Sequence, residues 1–376
     1  MRIVAGVFNP IAYDGRVQRA AAALSELGDV VVVCPTGPPL SGPHPFRLVP
    51  VPLPGGPFIG RYFAFARAFV AAVREEAPDV IHAHDYYLGP PGAIGARLTG
   101  ARLLYDAHEL NLPEPGGWRR SPLLRLFATL ERLTIPRADL VIAANAERAE
   151  RMAAHYGLPE PPLVVQNIPD HSGERAPGRD GDGGDDGHKG GGSAFVLVYQ
   201  GVIILRRGLG RILDALARLP AGYRLVIVGG GPDADRLPAE VAARGLEARV
   251  ELRGRVPRAE LEGILRECDA GVLTYGYDSL NDRLCAPNKI FEYARAGLPV
   301  LATDQAPLRR MVWGYNLGVL FGETDGPEVI AAHIQELAVP RATFRRGLER
   351  FLADHPWDAE ADRLRAAVAG LEGGEA

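Results

Sequence analysis

Cysteine, basic charge and long apolar runs are all scarce in this chain of 376 residues. Its three cysteines, Cys34, Cys268 and Cys285, lie far apart without CxxC spacing, which argues against a disulfide framework and a thiolate zinc site. No apolar run approaches the ~20 residues of a membrane-spanning helix, and the initial MRIVAGVF has the length of a strand rather than of a signal peptide. We therefore expect a cytoplasmic protein without a transmembrane segment, and peripheral contact with a membrane stays open.

The chain also lacks the basic surplus that binds nucleic acid. It has 42 Lys and Arg against 46 Asp and Glu, a formal net charge of -4, and no long cluster of basic residues. Without a basic field we expect no nucleic-acid partner. The 47% hydrophobic content is ample for burial, and the length exceeds what one core normally organises, so two domains are expected.

Apolar strand-length runs alternate with amphipathic segments in both halves of the chain. This alternation predicts an α/β fold with doubly wound parallel sheets, and ligands are then expected at the carboxyl ends of the strands. Residues 35–60 are rich in Pro and Gly and are predicted to be loop. The predicted strands cover residues 3–8, 30–34, 79–83, 102–106, 139–143, 163–166, 195–199, 224–228, 249–252 and 270–274; the predicted helices cover residues 16–27, 62–76, 91–99, 121–133, 146–156, 209–219 and 258–267.

Composition divides the chain into an N-terminal domain at residues 1–170 and a C-terminal domain at residues 195–350, and residues 351–376 contain a terminal amphipathic helix that begins after Pro356. Between the domains, residues 171–194 are Gly- and Asp-rich with almost nothing to bury, which predicts a flexible linker. Alternating Asp and Gly resemble calcium-binding loops, but the EF-hand order and its terminal Glu are missing.

Residues 286–304, APNKIFEYARAGLPVLATD, read as a single loop, helix, turn and strand. Pro287 is compatible with a helix start, and Gly297 followed by Pro299 ends the helix. The first free N–H groups of such a helix suit a phosphate, with Asn288 and Lys289 beside them.

Glu292 follows one turn later and can accept two hydrogen bonds from a vicinal diol such as a ribose, so the segment has groups for both halves of a nucleotide. The alternative is a surface helix in which Glu292 only complements the helix dipole.

PNKIFEYARAGLPVLATD resembles the donor-site signature of family-four glycosyltransferases. The resemblance extends through ADLVIAAN and LVIVGGGP to the Trp357 helix. It implies the GT-B architecture, in which two facing Rossmann-like domains are joined by a C-terminal crossover helix, and sugar transfer with retention and without a metal. It also implies that Glu292 binds the ribose of a nucleotide sugar. One departure is Leu284, where the family often has a second Glu that contacts the transferred sugar.

The resemblance implies further donor-side residues. Arg207, before a glycine, matches the family's basic residue at the diphosphate, with Arg206 beside it and Lys289 as a second cation. Arg and Lys suit this position because a departing diphosphate develops negative charge. A surface salt bridge is the alternative for each arginine. The remaining donor-binding positions implied are Pro287, Asn288 and Gly201, although Val202 stands where the family often has an Arg after the glycine.

A second group of titratable side chains follows two strands of the first domain: His82, His84, Asp85, Asp106, His108 and Glu109. The group resembles a metal cluster, but HEXXH is absent and the residues come from separate strands, so we expect no metal and a structural role for His82. His108, in DAHEL, matches the family's His at the mouth of the acceptor domain. The resemblance places that His beside the anomeric carbon in the closed enzyme, which makes His108 the first catalytic candidate, with Arg207 and Lys289.

The loop after the first strand resembles the family's glycine-containing loop over donor and acceptor. Its candidates are Tyr13, Asp14, Gly15 and Arg16, and His84 joins them on the acceptor side. The alternatives are a helix N-cap for Asp14 and a solvated first-turn position for Arg16.

The sequence therefore predicts a retaining glycosyltransferase that moves a sugar from a nucleotide-diphosphate sugar, with uridine expected on family frequency, to a hydroxyl acceptor. The bacterial product would be a polysaccharide, a glycolipid or a specialised metabolite, and no cofactor is expected. The alternatives are a GT-B epimerase or hydrolase of nucleotide sugars and a nucleotide-binding module without catalysis.

Overall fold

The computed structural model describes residues 1–40, 42–112, 122–169, 194–340 and 342–373. Contacts between backbone segments divide the chain into two units: unit 1 is Met1–Asp170 with Trp357–Ala376, and unit 2 is His171–Pro356. Residues 171–193 of the linker predicted at residues 171–194 lie outside the described residues, as do residues 113–121.

Unit 1 contains a parallel sheet of seven described strands, in the order β3-β2-β1-β4-β5-β6-β7. Its strands are β1 (Arg2–Gly6), β2 (Asp29–Pro35), β3 (Arg47–Val51), β4 (Val80–His84), β5 (Arg102–Ala107), β6 (Leu140–Ala143) and β7 (Leu163–Val164). Its helices before the linker are α1 (Gly15–Leu24), α2 (Phe58–Glu76), α3 (Asp85–Thr99), α4 (Pro122–Thr134) and α5 (Ala146–Tyr156).

Two local predictions in unit 1 are wrong. Residues 35–60 are not all loop, because Arg47–Val51 forms β3 at the edge of the sheet. Pro50 is compatible with an edge strand, where fewer N–H groups must pair. Helix α3 begins at Asp85 rather than at Pro91 and contains Pro90 and Pro91. A Cβ added at Gly92 would lie 3.0 Å from the Cβ of Ala83, so close packing of α3 on the sheet outweighs the proline signals.

Unit 2 contains a second parallel sheet, of six described strands in the order β10-β9-β8-β11-β12-β13. Its strands are β8 (Phe195–Val202), β9 (Tyr223–Gly230), β10 (Val250–Gly254), β11 (Ala270–Leu273), β12 (Val300–Thr303) and β13 (Gly318–Phe321). Its helices are α6 (Leu209–Leu216), α7 (Leu237–Ala242), α8 (Arg258–Glu267), α9 (Leu280–Arg283), α10 (Lys289–Arg295), α11 (Ala306–Tyr315), α12 (Pro327–Leu337) and α13 (Ala342–Asp354).

The terminal helix α14 (Trp357–Gly373) follows Pro356 and packs against α1 of unit 1. Leu364 and Val368 on α14 share a buried core with Val17 of α1 and with Ile3 and Val32 of the sheet. Apolar burial on this scale is the main stabilising term for such a layer. Among the described residues, no helix combines the length and the apolar character that crossing a bilayer requires.

Candidate functional site

In unit 2, the end of β8 lies beside the start of α10. The side-chain amide of Gln200 donates a hydrogen bond to Oε2 of Glu292. The backbone N–H of Gln200 donates to the phenol of Tyr293, 3.1 Å away, and Tyr293 is completely buried. The Oε1 atom of Gln200 is buried, and it has no hydrogen-bond partner among the residues that the structure describes. This arrangement fixes one carboxylate oxygen of Glu292 and leaves Oε1 of that carboxylate to accept from a ligand hydroxyl.

Lys289, the first residue of α10, packs its aliphatic chain on the glycine after Gln200. A Cβ at Gly201 would lie 2.9 Å from Cε of Lys289, and the φ of Gly201 is +138°. The positive φ favours glycine at this position, and the absence of a side chain lets Lys289 lie directly on the backbone. Pro287 is buried, and Asn288 is the N-cap of α10 without a side-chain cap bond. Because α10 has only seven residues, the side-chain cations carry more of the local positive charge than its dipole does.

The two arginines after β8 have different surroundings. Arg207 places Nη2 2.9 Å from Oδ1 of Asp282, which is almost completely buried, whereas its own Nε has no partner in the described part of the chain. Arg206 pairs at 2.9 Å with Asp278, and both side chains are mostly exposed. An exposed pair contributes little. The surface-salt-bridge alternative thus fits Arg206, while Arg207 is held by a buried carboxylate and keeps 31% of its side chain exposed.

In unit 1, two of the predicted acceptor-side residues, Arg16 and His84, converge on Asp106 at the end of β5. Nη2 of Arg16 lies 2.6 Å from Oδ1 of Asp106, and Nη1 of Arg16 donates a hydrogen bond of 2.9 Å to the carbonyl of Val165. Arg16 is only 7% exposed, so the solvated interpretation of this residue is wrong. The carboxylate of Asp106 therefore balances a buried guanidinium.

Three histidines surround the same carboxylate. His84 Nδ1 lies 3.4 Å from Oδ2 of Asp106 and 3.0 Å from Nε2 of His108, and His82 Nε2 lies 3.7 Å from Oδ2. Burial lowers the pKa of His84 to about 3 and that of His108 to about 4, so both imidazoles are neutral at pH 7. Burial alone would raise the pKa of Asp106, but Arg16 and the histidines hold it well below its usual range.

His82, His84 and Asp106 are residues of the kinds that bind metals, and their nearest ligand atoms lie within 4.8 Å of one another. However, Arg16 donates to both oxygens of Asp106, and the rings of His82 and His84 lie with centroids 3.8 Å apart at an interplanar angle of 36°. A cation beside the carboxylate disfavours a metal at this position. That the protein needs no metal stays a prediction.

The first loop begins helix α1. Asp14 Oδ1 accepts a hydrogen bond of 3.2 Å from the N–H of Val17 and caps α1, so the N-cap interpretation is confirmed. Gly15 is the first residue of α1, and Tyr13 is 71% exposed. Contact of these residues with a substrate stays a prediction.

Glu131 is a buried acid near Asp85 and Glu109 that sequence patterns did not single out. The phenol of Tyr105 donates to Oε1 of Glu131 at 2.6 Å, and burial raises the pKa of Glu131 to about 7. Asp85 has a φ of +65°, and burial, with Glu109 and Glu131 nearby, raises the pKa of Asp85 well above its usual range. A strained backbone at the carboxyl end of β4 is typical of functional positions.

Comparison with known proteins agrees with the donor-site motif. The family model described as Glycosyltransferase Family 4 matches residues 16–172, and the model described as Glycosyl transferases group 1 matches residues 194–339. The chain belongs to the family-four glycosyltransferases. The predicted family and enzyme class are confirmed.

Curated relatives and solved structures extend the comparison. The chain is 24% identical over 310 residues to a glycogen synthase of Mycobacterium tuberculosis, covering 80% of this chain and 71% of the relative. It is 29% identical over 328 residues to D-inositol 3-phosphate glycosyltransferase 1 of Catenulispora acidiphila, covering 79% and 73%.

Two solved structures show the fold. Sucrose-phosphate synthase of Thermosynechococcus elongatus is similar with a TM-score of 0.78 at 18% identity over 100% of both chains. Anabaena HepE, in complex with UDP-glucose, is similar with a TM-score of 0.73 at 17% identity over 98% of this chain and 100% of that one. The fold of this glycosyltransferase is therefore GT-B with two Rossmann-like domains, as predicted.

Proposed function

We propose that this glycosyltransferase takes its sugar from a nucleoside-diphosphate sugar, with uridine as the base, and transfers it with retention to a hydroxyl acceptor. The observation that supports the donor class is the Gln200–Glu292 hydrogen bond at the end of β8. It holds a carboxylate whose second oxygen can accept from a ribose diol. That HepE was solved with UDP-glucose supports the choice of uridine.

The diphosphate is assigned to the cations on the same unit. Lys289 packs beside Gly201, and Arg207 is held by Asp282 with its Nε unpartnered in the described residues. As the bond between the anomeric carbon and the phosphate oxygen breaks, the electron pair goes to that oxygen, and two cations stabilise the charge. Transfer with retention then proceeds by attack of the acceptor oxygen on the same face, and the acceptor proton goes to the leaving phosphate.

Unit 1 is assigned to the acceptor. Neutral His108 is hydrogen-bonded to His84, and an uncharged imidazole can donate to or accept from a hydroxyl. Glycogen synthase and D-inositol 3-phosphate glycosyltransferase, the relatives named above, are similar enough to support a hydroxyl-bearing acceptor. The acceptor is therefore proposed as a hydroxyl-bearing polysaccharide, glycolipid or specialised metabolite.

A thermal-shift panel of nucleoside diphosphates and nucleotide sugars tests the donor assignment. We expect uridine diphosphate to raise the melting temperature of the protein more than the diphosphates of the other nucleosides do. With the best donor and a panel of hydroxyl acceptors, the coupling of the anomeric proton in the product's NMR spectrum then reports retention or inversion. Release of free sugar without transfer to any acceptor would instead favour a nucleotide-sugar hydrolase.

A further inference from the structure

Exposed apolar side chains are concentrated on neighbouring helices of unit 1. On α2, Ile59 and Phe63 are 40% and 61% exposed; on α4, Leu126 and Leu133 are 47% and 54% exposed. Single exposed apolar residues need no explanation, but a group on adjacent elements marks a contact surface.

The two helices are neighbours through buried rings. Tyr62 of α2 and Phe127 of α4 lie with ring centroids 4.9 Å apart, and α3 packs against both helices. Phe127, Ala128 and Glu131 form the buried side of α4. Leu126 and Leu133 are seven residues apart, so they lie on one face of the helix, turned away from that buried side.

Arginines accompany these apolar residues. Arg67 follows Ile59 and Phe63 at four-residue spacing on α2, and Arg132 adjoins Leu133 on α4; both are exposed. The single acidic residue of α4 is the buried Glu131, and the acids of α2 stand only in its last turn. We call Ile59, Phe63, Arg67, Leu126, Arg132 and Leu133 the apolar–basic face. It is positive although the whole chain has a formal net charge of -4.

We propose that the apolar–basic face binds the surface of an anionic lipid bilayer. Interfacial helices combine apolar side chains, which enter the boundary between headgroups and acyl chains, with Lys or Arg, which contact lipid phosphates. The charge of the face selects an anionic surface over a zwitterionic one. This binding is independent of the donor chemistry assigned to unit 2.

The test is sedimentation of the full chain with vesicles. Wild-type protein binds vesicles that contain phosphatidylglycerol, does not bind pure phosphatidylcholine, and dissociates in 0.5 M NaCl because salt screens the attraction. Phe63→Ser with Leu126→Ser lowers the partition coefficient about 100-fold, because each large apolar side chain contributes about tenfold. Arg67→Glu with Arg132→Glu lowers it by more than about 25-fold, since each arginine contributes about fivefold and each glutamate adds repulsion from the anionic surface.

A matched variant, Val329→Ser with Arg346→Glu, changes exposed helical positions of unit 2 and retains wild-type binding. Unchanged far-UV circular dichroism and an unchanged melting temperature for every variant show that the chains are folded. Failure of the wild type to bind either vesicle, or equal binding by the face variants, overturns the proposal. A dimeric wild type with monomeric face variants in analytical ultracentrifugation also overturns it, because the face would then be a subunit interface.

Discussion

Gln200 and Glu292 are 92 residues apart in the sequence, yet the amide of one donates to the carboxylate of the other at the end of β8. Gln200 is almost completely buried, and its backbone is held by the fully buried Tyr293. The residue that donates this hydrogen bond is therefore held in place by its surroundings. Gln200 is a positioning residue for Glu292, which we propose contacts the ribose.

We expect Gln200→Glu to make donor affinity strongly dependent on pH. Two adjacent carboxylates repel one another, so the pKa of one of them rises. Affinity for uridine diphosphate should fall about tenfold or more at pH 8 and recover towards pH 5.5, where a shared proton restores the hydrogen bond. Calorimetry at several pH values measures this. A variant whose affinity follows the wild-type pH profile would show that Gln200 does not position Glu292.

Arg207→Ala should lower the single-turnover transfer rate on the order of 10²-fold, because it removes a cation that stabilises the departing diphosphate. Arg206→Ala is the matched control and should change the rate less than twofold, since its pair with Asp278 is exposed. Arg207→Ala also leaves Asp282 buried without its cation, so Arg207→Ala with Asp282→Asn is measured in parallel to separate stability from rate. Equal losses for both arginine variants would contradict the distinction.

His108→Ala should reduce turnover on the order of 10²-fold while leaving the affinity for nucleoside diphosphate unchanged. Affinity should be unchanged because His108 belongs to unit 1, whereas the residues proposed to bind the diphosphate belong to unit 2. His44→Ala, at an exposed position of the same unit, is the control. Transfer at the wild-type rate would remove His108 from the proposal and turn attention to His84 and Asp14.

Glu131→Gln should stabilise the protein at alkaline pH. The pKa of Glu131 is raised by burial from 4.5 to about 7, so the wild-type contribution is complete below pH 4.5 and is lost as the pH rises through 7. Gln keeps an acceptor for the phenol of Tyr105 and cannot ionise. The variant should match the wild type near pH 4.5 and exceed its free energy of unfolding by on the order of 3 kcal/mol above pH 7. Urea unfolding at both pH values measures this difference in stability. If the variant and the wild type differed by the same free energy of unfolding at both pH values, the pKa of Glu131 would not lie between them.

Most of the fold could be predicted because the apolar periodicity of a strand or a helix can be recognised within a short run of consecutive residues. The helix after Pro287 and its end at Gly297 were visible in this way, and so was α14. Strand β3 and the start of α3 were missed because Pro50, Pro90 and Pro91 are tolerated there by an edge position and by tight packing.

The site was predicted less completely, since its residues pair over long separations. Arg16 was expected in solvent or on a substrate, but it binds Asp106, 90 residues away. Neither Gln200 nor Glu131 lies in a recognisable sequence motif. A polar residue at the end of a buried strand is a signal that could have identified Gln200, whereas nothing in the Leu- and Arg-rich sequence of α4 distinguishes Glu131.

The most direct test of the central claim is calorimetric titration of uridine diphosphate into the wild type, Glu292→Ala and Glu328→Ala. Glu328 is the matched control because it stands in the first turn of another helix of the same unit. We predict that Glu292→Ala weakens binding more than tenfold, through loss of a charge-assisted hydrogen bond of about 1.5–3 kcal/mol, and that Glu328→Ala binds like the wild type. Wild-type affinity in a folded Glu292→Ala variant would contradict the assignment of the donor site.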